Sequence, residues 1–125
     1  MRVSFDFDRT LNTLSVRKYA KELIDRGIEV WITTARFKEN TSMFYDANYS
    51  NTDLYHVAES LNIPKDRITF MNMVQKSDFL ECNEDFIFHL DDDYDEISYV
   101  KPIWVYSFTW REDCNRLILE NEQSN

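Results

Sequence analysis

The chain alternates short apolar runs with stretches of helical periodicity, and no other feature limits its possible folds as much. Val3–Phe7, Ile28–Thr33, Ile68–Met71, Phe86–Leu90 and Ile103–Tyr106 read as five strands. The second is continuous and rich in β-branched residues, as expected of a strand buried on both faces. Between the first two, Ser15–Arg26 places Val16, Tyr19, Ala20, Leu23 and Ile24 on one helical face. Ser15 is expected to cap this helix, and Gly27 to end it in a left-handed residue. Asp53–Leu61 predicts a second helix, headed by Thr52 and ended by Asn62 and Pro64. Lys76–Glu81 predicts a brief third helix and Arg111–Glu120 a closing one. Residues 37–52 show no clear period and are expected to form a loop or a short irregular helix. Strands alternating with helices predict an α/β fold around a mainly parallel sheet.

The 125 residues fit one domain, over residues 1–119, followed by a polar tail at 120–125. The formal charge of −9 argues against a broadly basic nucleic-acid surface. Gly27 is the only glycine, which excludes the Gly-rich phosphate loops of the dinucleotide fingerprint and the P-loop. Any phosphate chemistry must therefore use another device. Cys82 and Cys114 are far apart, in no metal-ligand spacing, and are expected to be reduced thiols. No apolar run reaches the ~20 residues of a membrane span, and no leader pattern opens the chain. The expected location is the cytoplasm, without a membrane partner.

In a parallel α/β sheet the working site lies at the carboxyl ends of the strands. Asp6 and Asp8 end the first predicted strand, with Thr10 beyond them. Thr33 and Thr34 end the second, followed by Arg36. Lys76 begins the helix after the third, and Asp91, Asp92 and Glu96 follow the fourth. The topology brings these four points together. Carboxylates from two strand ends make a hard-oxygen site suited to Mg²⁺, while a hydroxyl and an ammonium can hold phosphoryl oxygens. The run from Asp91 is not a calcium loop, because Glu96 and Pro102 stand where its Gly and Glu are required. His89 is expected to be a core histidine, and Trp31, Trp104 and Trp110 to be packing residues.

These segments resemble the four motifs of the haloacid dehalogenase superfamily. Val3-Ser4-Phe5-Asp6-Phe7-Asp8-Arg9-Thr10-Leu11 resembles the first, Val30 to Arg36 the second, Lys76 the third, and Phe86 to Asp92 with Glu96 the fourth. The resemblance implies a Rossmann-like three-layer sandwich and an Mg²⁺-dependent phosphohydrolase acting through an aspartyl-phosphate. Asp6 is then the nucleophile and Asp8 the acid and later the base, its main-chain carbonyl also binding the metal. Thr34 (or Thr33) and Lys76 hold the phosphoryl oxygens. Asp92 completes the metal site, supported by Asp91 and Glu96; spacing does not settle which of Asp91 and Asp92 touches the ion. Two departures from the family pattern stand out. Arg9 replaces a glycine, which bears on specificity, and Glu96 replaces an aspartate. Arg36 is either a local ion-pair partner or a substrate contact.

Neither Thr10–Thr33 nor Arg36–Lys76 has room for a cap domain, so the chain is similar to the capless members. The expected partner is a phosphorylated substrate, namely a nucleotide, a sugar phosphate or a phosphoprotein, with residues 37–52 or a second subunit as cover. The charge makes a nucleic-acid end less attractive. A catalytically inactive binding module and a phosphotransferase are the alternatives. A receiver-type phosphoacceptor fits poorly, because the third strand ends without an aspartate.

Overall fold

The computed structural model describes residues 1–39, 49–81, 85–93 and 102–124. Strands β1 (Arg2–Phe5), β2 (Glu29–Thr34), β3 (Ile68–Phe70), β4 (Phe86–Asp91) and β5 (Pro102–Trp104) form one parallel sheet in the order β3-β2-β1-β4-β5. Helices α1 (Leu14–Asp25), α2 (Thr52–Ser60), α3 (Ser77–Glu81) and α4 (Trp110–Gln123) accompany it. The chain steps from β1 to β3 in one direction, then returns to lay β4 against the other side of β1. That reversal makes a switch point between β1 and β4, where connections leave in opposite directions and a crevice opens at the carboxyl ends.

Strand register sorts the side chains into two faces. Val3, Phe5, Val30, Ile32, Ile68 and Leu90 share one face, and all are buried. Helices α1, α2 and α4 cover it. Tyr19 of α1 meets Trp110 of α4 edge-on at 5.4 Å and donates to Asn115 Oδ1 at 2.6 Å. Tyr55 of α2 packs on Phe70, 6.1 Å away. Each large apolar side chain buried here contributes about 1.5–3 kcal/mol. The opposite face carries Ser4, Trp31, Thr33 and His89, and α3 covers it through Phe79, which packs against Trp31 and Phe86. The sheet is therefore the middle of three layers, in a Rossmann-like arrangement.

Several boundaries differ from expectation for local reasons. β1 stops at Phe5 because the chain turns at Asp6, so Phe7 belongs to the turn. α1 begins at Leu14 with Thr13, not Ser15, at its N-cap. Gly27 (φ 85°) ends α1 as predicted, with Ile28 N–H bonded to Leu23 O (3.0 Å) and Gly27 N–H to Ile24 O (2.9 Å), the paired bonds of a Schellman ending. Asn62 (φ 59°) ends α2 the same way. β5 is shorter than predicted, since Ser107 N–H turns back onto the Trp104 carbonyl. α4 runs to Gln123, so residues 120–123 of the expected tail are helical. Burial pushes the Cys114 thiol well above its usual range, which leaves it unreactive. Cys82, Glu96 and residues 40–48 of the expected cover lie outside the described residues. Among the described residues, no helix is long and apolar enough to cross a membrane.

Candidate active site

β1 delivers Asp6 to the switch point. Its N–H still bonds the Leu90 carbonyl at 2.8 Å, so β1 and β4 remain paired where the site begins. The chain then makes one wide turn, with Leu11 N–H on Asp6 O and Asn12 N–H on Phe7 O, both at 3.1 Å. Within it Asp8 is extended (φ −66°, ψ 129°) and Arg9 is left-handed (φ 58°, ψ 13°). The turn brings the Thr10 hydroxyl back to donate to Asp6 Oδ2 at 3.2 Å. A left-handed backbone costs a residue with a side chain about 1–2 kcal/mol, and glycine avoids that cost. Arg9 therefore carries a backbone cost that a glycine at this position would avoid.

A buried polar cluster surrounds Asp6. Lys76 Nζ, just ahead of α3, donates to Asp6 Oδ1 (2.8 Å) and to Asp91 Oδ2 (2.7 Å). His89 Nε2 also meets Asp91 Oδ2 at 2.7 Å, while the Asp93 N–H donates to Asp91 Oδ1. Behind them His89 Nδ1 meets Ser4 Oγ at 2.9 Å, and Ser4 Oγ meets Thr33 Oγ1 at 2.7 Å. Asp6, Ser4, Thr33, Lys76, His89 and Asp91 are all buried. Burial raises the Asp6 carboxyl well above the usual range; Lys76 opposes the rise, while Asp91 and Asp92 add to it. Burial also disfavours ionised Asp91, but His89 and Lys76 outweigh it and hold that carboxyl below its ordinary value. For Lys76 the two carboxylates likewise overcome burial and keep the ammonium charged.

The second cluster lies at the rim. Arg36 Nε and Nη2 fork onto the two oxygens of Asp8 (2.9 and 2.6 Å), and Nη1 and Nη2 onto those of Asp53 (2.7 and 2.9 Å). Its guanidinium lies over the Phe7 ring, 4.9 Å from the centroid. Of the two expectations for Arg36, the local ion pair is present, and it engages a site carboxylate.

A cavity of about 370 Å³ opens between the clusters, lined by Asp6, Asp8, Arg9, Ala35, Lys76, Asp92 and Asp93. Of the expected residues, Asp6, Asp8, Arg9, Lys76 and Asp92 come together there. Thr10, Thr33, Thr34 and Asp91 do not line it. Thr10 holds Asp6, Thr33 holds Ser4, and the Thr34 hydroxyl accepts the Arg36 N–H at 3.2 Å. Asp6, Asp91 and Asp92 each offer a carboxylate oxygen, all within 4.8 Å of one another, a hard-donor set that suits a divalent cation. Asp91 is already bonded by three donors and fully buried, whereas Asp92 borders the cavity.

Sequence reasoning missed Ser4, His89 and Asp53. The first two left a signal: a polar residue facing inward from a buried strand needs a polar partner. His89 is buried, as expected, but it is bonded to a site carboxylate rather than merely packed. Asp53 left none, because its role depends on where the first turn of α2 meets Arg36. In comparison with known proteins, no family model, no curated protein and no solved structure matches this chain.

Proposed function

We propose that this protein is a divalent-metal-dependent phosphohydrolase of the haloacid dehalogenase type, with Asp6 as its nucleophile. One observation carries the reading: Lys76 Nζ bridges Asp6 and Asp91 at the switch point, beside Asp92, with a cavity in front. Lys76 orients the Asp6 carboxylate and opposes the rise that burial imposes on it. Asp6 attacks phosphorus, the bond to the leaving oxygen breaks, and Asp8 supplies the proton that oxygen needs. Water then attacks the same phosphorus, Asp8 takes its proton, and Asp6 is released. Asp92 and Asp6 are the residues best placed to hold Mg²⁺, with Asp91 held back to fix Lys76. A bound divalent cation supplies the charge that lets an anionic nucleophile approach an anionic phosphate. Among the residues expected to hold phosphoryl oxygens, Lys76 borders the cavity and is given that role. Thr33 and Thr34 are given the support of their neighbours.

A second reading, a non-catalytic binding module, draws on the Arg36 fork, which occupies both oxygens of Asp8. For Asp8 to move protons, Arg36 must release it. The test is hydrolysis of an aryl phosphate with and without Mg²⁺, in wild type and Asp6→Asn. Metal-dependent turnover that vanishes in the variant supports the enzyme. No turnover in wild type supports the binding module, and turnover unchanged in the variant removes Asp6 from the nucleophile's role.

A further inference from the structure

Arg9 stands apart from the other arginines. The chain has eight, and seven of them have a carboxylate or carbonyl acceptor within bonding distance. Among the described residues, Arg9 has none. It is unpaired although it shares the cavity wall with Asp6, Asp8, Asp92 and Asp93, in a chain with 23 acidic residues. The two other cations of the site are committed, Lys76 to Asp6 and Asp91, and Arg36 to Asp8 and Asp53. The backbone adds a second observation. Arg9 is held at φ 58°, a conformation that glycine takes without steric cost. Strain of this kind gathers where a side chain has work to do.

We propose that Arg9 is a specificity-determining residue that receives a second anionic group of the substrate, a phosphate or a carboxylate. That group is carried beside the phosphoryl group that Asp6 attacks, so the inference rests on the phosphohydrolase reading. A guanidinium presents a planar fork that matches either anion, and its charge does not depend on pH in the working range. The cavity of about 370 Å³ is at the small end of ligand sites, which suits a compact molecule with two anionic ends. The substrate class is therefore a small bis-anionic phosphomonoester rather than a simple alkyl phosphate.

The test is calorimetric titration in Mg²⁺ with three non-hydrolysable probes: methylphosphonate, phosphonoacetate and methylenebisphosphonate. Wild type is compared with Arg9→Gly, which suits the left-handed backbone, and with Arg9→Lys. Thermal unfolding shows that each variant is folded. At least one two-ended probe should bind wild type on the order of tenfold tighter than methylphosphonate. That preference should fall to about equal affinity in Arg9→Gly and be partly kept in Arg9→Lys. Which probe carries it tells carboxylate from phosphate, and comparing variants cancels metal chelation by the probe. Equal affinities in wild type, a preference that survives in Arg9→Gly, or no binding at all overturns the assignment. Aryl phosphate turnover lost in Asp6→Asn tests the underlying reading separately. If turnover is present and the preference absent, only the role of Arg9 fails.

Discussion

Lys76 and Arg36 are built alike and placed unlike. Each is a cation held between two carboxylates at the carboxyl end of the sheet. The side chains of Lys76, Asp6 and Asp91 are at most 5% exposed, whereas those of Asp8 and Asp53 are 51% and 60% exposed. Inside, little water reaches the cluster, so removing the cation leaves two buried carboxylates uncompensated. At the rim, water and salt stand ready to replace either carboxylate. The same pattern of bonds therefore makes a fixed frame in one place and a releasable clamp in the other. The proposed reaction needs both, a nucleophile that does not move and a proton carrier that can be let go.

The largest break in this comparison comes from Lys76→Met. It should cost about 3–5 kcal/mol in urea unfolding, as expected for a buried pair deprived of one partner. A loss below about 1 kcal/mol would mean that the inner cluster behaves like the outer one. Asp6→Asn separates stability from activity. A carboxyl whose folded pKa is raised stabilises the fold while protonated, and that contribution is lost as pH rises through the raised value. The variant cannot ionise, so without divalent ions it should exceed wild type in stability at pH 7. The two should converge as pH falls toward about 4, and Mg²⁺ should stabilise wild type more than the variant. Turnover should drop on the order of a thousandfold or more.

Arg36→Ala probes the outer cluster and should cost no more than about 1 kcal/mol. The sign of its pH effect is opposite to that of Asp6. Arg36 holds the Asp53 carboxyl below its usual value, so that contribution is present above pH about 4 and lost as pH falls further. Thermal unfolding of the variant should lack this part of the acid sensitivity. Smallest of all, Arg9→Gly should gain about 0.5 kcal/mol, the relief of left-handed strain less the extra freedom of unfolded glycine. A net loss would show that the Arg9 side chain is held by contacts in the free protein.

Legibility followed the range of the forces involved. The sheet and its helices were readable because period and caps are local: Gly27 and Asn62 end their helices as their positions suggest. Topology then carried Lys76 and Asp92 to the cavity of Asp6, the nearer of the two 70 residues away in sequence, because parallel strands present all their carboxyl ends on one side. What depended on side-chain direction was not readable. Neighbours as close as Asp91 and Asp92 part company, one turned to Lys76 and His89, the other to the cavity. Thr33 and Thr34 stand at the right strand end but serve Ser4 and the Arg36 backbone. The left-handed Arg9 is a property of the turn as a whole, and its residue type argues against it.

The central claim is that Asp6 carries the phosphoryl group, and trapping it is the most direct test. Asp8→Asn protein, deprived of the base for the second step, is mixed with an aryl phosphate and Mg²⁺, quenched in acid, digested and analysed by mass spectrometry. The account predicts one phosphoryl group on the peptide containing Asp6, removed by hydroxylamine and absent when Asp6 is also changed to Asn. Stoichiometric release of the aryl alcohol with the phosphoryl group on any other residue, or on none, would contradict it.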